Sequence, residues 1–298
     1  MLVNSANFAT LFAGFKASFN KGFESAASYY KDVAMVVPSL TASEQYGWMK
    51  QISGMREWLG PRVVNNISLA GYTITNRKFE NTIGLARTDV EDDQYGVLSP
   101  LLSEMGKAAA EFPDTLVFSL LRAGMTTDCY DGQFFFDTDH PVVVEGIETT
   151  VSNLQTGAGD AWFLLDTSRM MKPLIFQNRM APEFQQLTDT NDDTVFKNDE
   201  FLYGVRSRCN VGFGLWQLAF GSRAALTPAN YKAARAAMMG FRGDGGRPLG
   251  VIPNTLVVPP SLESDALKII NSEYGDGGVT NEWKGTARLI VTPWVIPW

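Results

Sequence analysis

The side chains that could do acid–base chemistry gather around His140, the single histidine of the chain. Asp137 and Asp139 come just before it, and Pro141 follows it. A histidine beside carboxylates can serve as a general base or hold a metal ion. Aspartate and histidine directly before a proline are also typical of turns. We therefore predict an ordinary turn at this position.

Covalent catalysis by a Ser–His–Asp arrangement would have to use the same histidine. The chain has no Gly-x-Ser-x-Gly sequence, in which such a serine is commonly presented. One alternative function is a soluble hydrolase that uses acidic residues near His140. No sequence motif for a catalytic serine supports this alternative. Loss of a measured turnover in His140→Ala would favour it.

The possible metal ligands are scattered along the sequence. Cys129 and Cys209 lie far apart, and we expect two reduced, buried thiols, which cannot build a zinc site alone. The acidic loop 189–193 lacks the glycine and the final glutamate of a calcium loop. The acids at 91–93 precede a helical pattern, where carboxylates complement the helix dipole.

The glycine-rich loop 240–250 is the remaining candidate for ligand binding. A phosphate-binding loop needs a Lys-Ser or Lys-Thr pair, and Arg247-Pro248 provides none. The chain shows no motif for a dinucleotide, haem, pyridoxal phosphate or zinc. We therefore predict no catalytic residues, no cofactor, no metal site, and a protein that is not an enzyme.

Composition limits the possible partners. The chain has 298 residues, 45% of them hydrophobic and 19% charged, which suits one large or two ordinary globular domains. Its net charge is −7, and lysine and arginine form no cluster that could grip nucleic acid. If DNA is a partner of this protein, we expect the protein to enclose the DNA and not to bind it through a basic surface. We expect no membrane partner, because no apolar run is long enough to span a bilayer and the start lacks the features of a signal peptide.

The elements that would position these residues begin with a phenylalanine stripe. Phe8, Phe12, Phe15 and Phe19 recur at helical spacing. Either this helix packs on its own core, or it is an arm that docks on a neighbouring subunit. Gly14 and Gly22 weaken it as a free helix, so a docking surface should hold it.

A polar, strand-like segment and a long helix follow one another in the middle of the chain. Residues 62–90 alternate like strands but have a thin apolar face, and such a hairpin needs a partner surface. Residues 97–122 keep one helical stripe, which Pro113 should bend or divide and which Gly124 should end. The predicted intersubunit contacts in the polar segment are Arg62, Tyr72, Arg77, Lys78 and Phe79.

The remainder reads as a mixed domain, so the fold class is α+β. Residues 133–136 look like a buried strand that ends in the turn at 137–141. The other predicted strands are 161–165, 174–176, 251–260 and 288–292, and the predicted helices are 227–238 and 261–270. In the run 201–214, glycines permit turns and close backbone approach.

Several segments, in this order, resemble the Mu-like bacteriophage major head subunit family, which has the HK97-like capsid fold. The resemblance covers nearly the whole chain, and it rests on the order of the segments because none of them is an active-site signature. The matching segments are 58–93, 131–141, 211–219, 233–238 and 254–263.

The resemblance implies a division of the chain with an N-terminal arm, an extended β-hairpin called the E-loop, a long spine helix and an axial domain. The implied ranges are 1–54 for the N-terminal arm and entry to the peripheral domain, 55–90 for the E-loop, 91–139 for the peripheral domain with the spine helix, 140–285 for the axial domain, and 286–298 for a returning strand of the peripheral domain. Some relatives join the E-loop covalently to a neighbour, but no catalytic glutamate is recognisable here, so we predict no crosslink.

The resemblance also implies a function and partners. The chain would be a major capsid protein that self-assembles as hexamers and pentamers into the icosahedral head of a tailed bacteriophage, in contact with neighbouring capsomers through the arm and the E-loop. A separate scaffold, a portal and decoration proteins would be further partners, and the packaged double-stranded DNA would be enclosed without sequence-specific binding. The location would be the virion, after assembly in the bacterial host cytoplasm. The main alternative is an encapsulin-like cellular compartment with the same fold and a protein cargo.

Overall fold

A computed structural model describes residues 5–47, 71–92, 95–144, 147–243, 246–275 and 278–296. Within these ranges helices and strands mix along the chain, as the predicted α+β class requires. The helices are α1 (Ser5–Ser25), α2 (Tyr30–Val33), α3 (Arg87–Glu91), α4 (Tyr95–Ala123), α5 (Asp193–Asn198), α6 (Pro228–Met239) and α7 (Glu263–Ile270). The strands are β1 (Ala34–Pro38), β2 (Ser43–Tyr46), β3 (Tyr72–Thr75), β4 (Arg77–Ala86), β5 (His140–Val144), β6 (Ile147–Val151), β7 (Leu154–Gln155), β8 (Trp162–Leu165), β9 (Leu174–Leu187), β10 (Glu200–Phe213), β11 (Ala219–Ser222), β12 (Thr255–Val258) and β13 (Arg288–Val291).

The first sheet has four strands in the order β1–β9–β10–β4. β9 and β10 form a long antiparallel hairpin, β4 lies antiparallel to β10 at one edge, and β1 lies parallel to β9 at the other. Buried side chains alternate with more exposed ones along most of β10. The buried side of the sheet therefore faces the helices, and α1 and α4 cover it.

Helix α4 is the predicted spine helix. It begins at Tyr95 and ends at Ala123, directly before the glycine predicted to end it. The predicted division at Pro113 is wrong, because one helix continues through that residue. A proline inside a helix removes one hydrogen bond and costs about 3 kcal/mol. Packing of α4 between α1 and the sheet offsets this loss.

Two glycines set how closely α1 approaches α4. A β carbon on Gly106 of α4 would overlap the carbonyl oxygen of Phe19, and one on Gly22 of α1 would overlap the carbonyl oxygen of Ser103. The two helix backbones therefore touch at these points, where no larger residue fits. By contrast, a β carbon on Gly14 would meet nothing within 4 Å apart from its own stretch of helix.

The second sheet has five strands in the order β13–β12–β8–β11–β7. Every residue of β8, β11 and β12 is buried, as expected for strands covered on both faces. The main apolar core is continuous from this sheet to β1, β9 and α4. None of the described helices is both long and apolar enough to cross a bilayer.

Strand pairing connects segments from different predicted domain ranges, and the ranges themselves stay a prediction. β9 and β10 fall within 140–285, yet they form the centre of the sheet under the spine helix. Strand β13 falls within 286–298, yet it pairs in parallel with β12 of the second sheet. The turn at Pro293–Val295 then returns to α4. Such pairing between distant segments leaves little trace in local sequence.

The described part of the predicted E-loop is not a free arm. β3 pairs with β2, and all ten residues of β4 pair with β10 of the same chain. Residues 55–70 of the predicted loop lie outside the described residues. The predicted strand at 133–136 is also wrong, since this segment is irregular, although Phe135 and Phe136 are fully buried.

We expect Gly106→Ala to lower the free energy of unfolding by about 1–3 kcal/mol, because the added methyl group forces α1 away from α4. Urea unfolding of dissociated subunits measures this. Gly14→Ala is the matched control. It adds the same methyl group to open space and should raise helix stability by about 0.5–1 kcal/mol. Equal effects of the two substitutions would contradict the close helix contact.

Candidate functional site

The phenylalanine stripe of α1 had two predicted roles, packing on its own core or contact with a neighbouring subunit, and Phe12, Phe15 and Phe19 pack on the chain's own sheet. Phe15 and Phe19 are 1% and 3% exposed. Phe15 meets Tyr203 edge-on at 5.2 Å between ring centroids, and Phe19 stacks on Phe184 at 4.9 Å. Phe12 stacks on the same Phe184 at 5.7 Å. The predicted contact with a neighbouring subunit is therefore wrong for Phe15 and Phe19, because both side chains are buried against the sheet beneath α1.

Tyr72 and Phe79, two more of the predicted contact residues, are half-buried against their own chain. The Tyr72 hydroxyl accepts a hydrogen bond from the Phe213 backbone N–H at 3.2 Å, and burial raises the pKa of Tyr72. The ring of Phe79 meets Phe112 of α4 edge-on at 4.6 Å. Both side chains therefore help to hold β3 and β4 in place. Arg62 and the side chain of Phe8 lie outside the described part of the chain.

Arg77 and Lys78 remain as exposed candidates for contact with another subunit. Both lie at the start of β4, which is an edge strand of the first sheet as far as the described residues go. The Arg77 guanidinium lies over the Phe79 ring, 5.3 Å from its centre. Lys78 points to the opposite side of the strand, because successive side chains alternate.

The side of β4 that carries Lys78 forms a charged outer face with β10. Lys78 is paired with Arg208 across the two strands, and Glu80 is paired with Arg206. Opposite charges at such positions attract, whereas the two like charges of Lys78 and Arg208 repel each other. We call these four side chains the charged outer face. Charges on an open edge also discourage unwanted strand pairing.

A second candidate site is a polar centre buried near the spine helix. Cys129 to Gly132 form a tight turn in which the Gly132 N–H donates to the Cys129 carbonyl at 3.3 Å. Gly132 has a φ of 89°, a region that favours glycine. The turn brings the Cys129 thiol to 3.0 Å from the Asp131 carboxylate, to which it donates a hydrogen bond.

His140 meets this turn from the start of β5. Its Nδ1 lies 2.8 Å from Oδ2 of Asp131, and the side chain has no exposed surface. The imidazole also stacks on Trp216, 4.0 Å away and almost parallel. The predicted ordinary turn at His140 is therefore wrong: the residue begins β5 and is part of the core, held by partners from other segments.

The surroundings shift the pKa values of Asp131 and Cys129. Burial raises the pKa of Asp131, but hydrogen bonds from His140 and Cys129 outweigh this and hold the pKa below its usual range. Burial and the charge of Asp131 raise the pKa of the Cys129 thiol. Burial alone raises the pKa of Cys209 to about 11, and its nearest charge, on Arg77, opposes the rise. Both cysteines are reduced and buried, as predicted.

Asn153 sets the orientation of the imidazole. Its Nδ2 donates to the carbonyl oxygens of Phe135, Trp216 and Ala219 at 2.8, 3.4 and 3.3 Å. Its Oδ1 therefore faces the other way and accepts from the Asp137 N–H at 2.8 Å. The same oxygen lies 3.2 Å from Nε2 of His140, so Nε2 must carry a hydrogen and Nδ1 faces Asp131.

This arrangement does not suit hydrolysis. A general base must come within hydrogen-bonding distance of a proton on the substrate, and His140 is 0% exposed. The sequence analysis missed Asp131, Asn153 and Trp216 as partners of His140. An Asp-Gly turn signal at 131–132 could have pointed to the first of them, whereas no local signal identifies the other two.

Comparisons with known proteins agree with this picture. The family model described as the Mu-like prophage major head subunit gpT matches residues 8–295. The Mu-like prophage FluMu major head subunit of Haemophilus influenzae is 48% identical, over 94% of this chain and 95% of that protein. The major capsid protein of Escherichia phage Mu is 42% identical, over 99% of this chain and all of that protein (100%).

A solved structure also resembles the chain. A subunit of the procapsid of bacteriophage JBD30 superposes with a TM-score of 0.85 at 47% identity, covering 98% of this chain and 100% of that one. The predicted capsid fold is thereby confirmed. The relatives are shell subunits, which also supports the prediction that the chain is not an enzyme. The chain belongs to the Mu-like prophage major head subunit gpT family.

Proposed function

We propose that this protein is the major capsid protein of a tailed bacteriophage and that copies of it form the icosahedral shell of the head. The full-length agreement with a procapsid subunit carries the proposal, because it includes both sheets, the spine helix and α1. An encapsulin-like compartment is not favoured, since the relatives that match nearly the whole chain are phage head and capsid subunits.

We infer that the subunits associate as hexamers and pentamers. The charged outer face supports a contact there, because among the described residues β4 has no strand on its outer side and the charges of this face are not fully compensated. Lys78 is exposed and lies opposite another positive charge, so a partner that offers a carboxylate would relieve the repulsion. The predicted E-loop, 55–90, would lie over the adjacent subunit, and β4 is the described part of it that enters the sheet.

The shell encloses the packaged DNA and does not bind it tightly. The net charge of −7 makes the subunit repel the phosphate groups of DNA. On the charged outer face, Glu80 lies among the positive side chains and weakens their attraction for phosphate. We propose that a separate scaffold, a portal and decoration proteins complete the head. The subunit would assemble in the cytoplasm of the bacterial host and end in the virion.

The proposed function predicts that the expressed chain forms closed shells or capsomers, with the scaffold protein of the same phage supplied if the chain alone stops at capsomers. Electron microscopy and analytical ultracentrifugation of the purified protein measure this. Particles that sediment only as monomers, both alone and with the scaffold, would overturn the proposal.

Lys78→Glu should separate assembly from folding. Within the chain it replaces a repulsion by an attraction to Arg208, so the free energy of unfolding should stay equal or rise by about 0.2–1 kcal/mol. Between subunits it removes a positive charge from the charged outer face. We expect each subunit contact to weaken roughly tenfold, which corresponds to about 1.4 kcal/mol, and the yield of assembled particles to fall.

Lys232→Glu is the matched control, because Lys232 is also exposed but lies on α6. Assembly should continue in this variant. Light scattering follows assembly, and urea unfolding follows stability. If both variants assemble equally well, or both fail equally, the charged outer face is not a specific contact.

A further inference from the structure

We propose that Cys129, Asp131 and His140 form a binding site for a zinc ion. The sequence predicted no metal site, because the two cysteines are too far apart to share one. In the structure, Asp131 and His140 take the role of a second cysteine, because the fold brings both side chains next to Cys129. This inference concerns the single subunit and does not depend on shell formation.

The donor set fits the metal. A thiolate, a carboxylate and an imidazole nitrogen are the three side-chain ligands that zinc takes in proteins. Their ligand atoms, Sγ of Cys129, a carboxylate oxygen of Asp131 and Nδ1 of His140, all lie within 4.8 Å of one another. Side-chain shifts of roughly 1 Å would bring them to the zinc–ligand distances of about 2.0–2.3 Å.

The surroundings hold the imidazole as a metal-binding histidine is held. Such a histidine donates its second N–H to an oxygen, which fixes the ring and leaves the other nitrogen for the metal. Here Nε2 donates to Oδ1 of Asn153 at 3.2 Å, and Asn153 cannot turn round because Nδ2 faces three carbonyl oxygens. The parallel stack on Trp216 holds the plane of the ring.

Zinc would also leave the charge of the buried centre unchanged. Without the metal, the Cys129 thiol carries one proton, and a second proton lies between Nδ1 of His140 and Oδ2 of Asp131. Zinc would take the place of both protons, which would pass to the solvent. Two positive charges would then meet one thiolate and one carboxylate, so the centre stays neutral, as burial requires.

Asp131 is the side of the centre that reaches the solvent. Its side chain is 11% exposed, whereas that of His140 is not exposed at all. A water molecule on this side would complete the tetrahedral coordination that zinc prefers. The bound ion would tie the turn at 129–132 to β5, and so would stabilise the segment that follows the spine helix.

The test uses the full-length protein, stripped with a chelator and then titrated with ZnCl2. We expect one zinc ion per chain by elemental analysis, release of about two protons per ion, and a rise in Tm that the chelator reverses. Substitution with Co²⁺ should give a thiolate-to-cobalt charge-transfer band. Unchanged Tm and no retained metal at excess zinc would overturn the proposal.

Two cysteine variants locate the site. Cys129→Ser should weaken zinc binding by at least the roughly 10–100-fold that loss of an outer partner costs and should abolish the cobalt band. Cys209→Ser is the control and should keep both, because Cys209 is a buried thiol with no such partners in the described donor cluster. Zinc bound equally well by both variants would place the metal elsewhere. If Cys129→Ser does not fold, the proton release and the cobalt band of the unmodified chain decide.

Discussion

The contact between the backbones of α1 and α4 is the constraint on which the first half of the fold depends. Gly22 and Gly106 allow the two helices to touch, and in this arrangement Phe15 and Phe19 pack on the sheet beneath. The apolar cluster that contains Phe15 also contains Leu85 of β4, so it connects the helix contact to the edge strand. The N-terminal helix is therefore part of the subunit's own core.

A second constraint joins the end of the spine helix to the second sheet. Asn153 donates to carbonyl groups at 135, 216 and 219, which belong to two segments, the irregular stretch around Phe135 and the stretch that leads into β11. Because buried carbonyl groups without donors are costly, one amide side chain specifies how these irregular segments meet. The imidazole of His140 is held by the same amide, so the polar centre and the packing around it form one unit.

Much of the fold could be predicted from local patterns, because the elements concerned carry their own periodicity. The spine helix has a long apolar stripe, and its end at residue 123 follows from the glycine after it. The burial of His140 could not be predicted, since its partners come from three separate segments. The pairing of β4 with β10 was hidden for a similar reason: β4 is mostly exposed and polar, so nothing in it points to a particular partner. Gly22 could be recognised as a poor helix former, but its role in helix contact appears only when the second helix is in place.

The like charges of Lys78 and Arg208 make the outer surface of the sheet sensitive to ionic strength. Salt shortens the range of such repulsion, from a Debye length of about 10 Å at 0.1 M to about 3 Å at 1 M. In dilute buffer the repulsion between β4 and β10 is strong, and a negatively charged group of a neighbouring subunit would offset it. In concentrated salt the repulsion is already reduced. The repulsion between these two side chains in a single subunit therefore depends on the salt concentration at which the protein is stored and assembled.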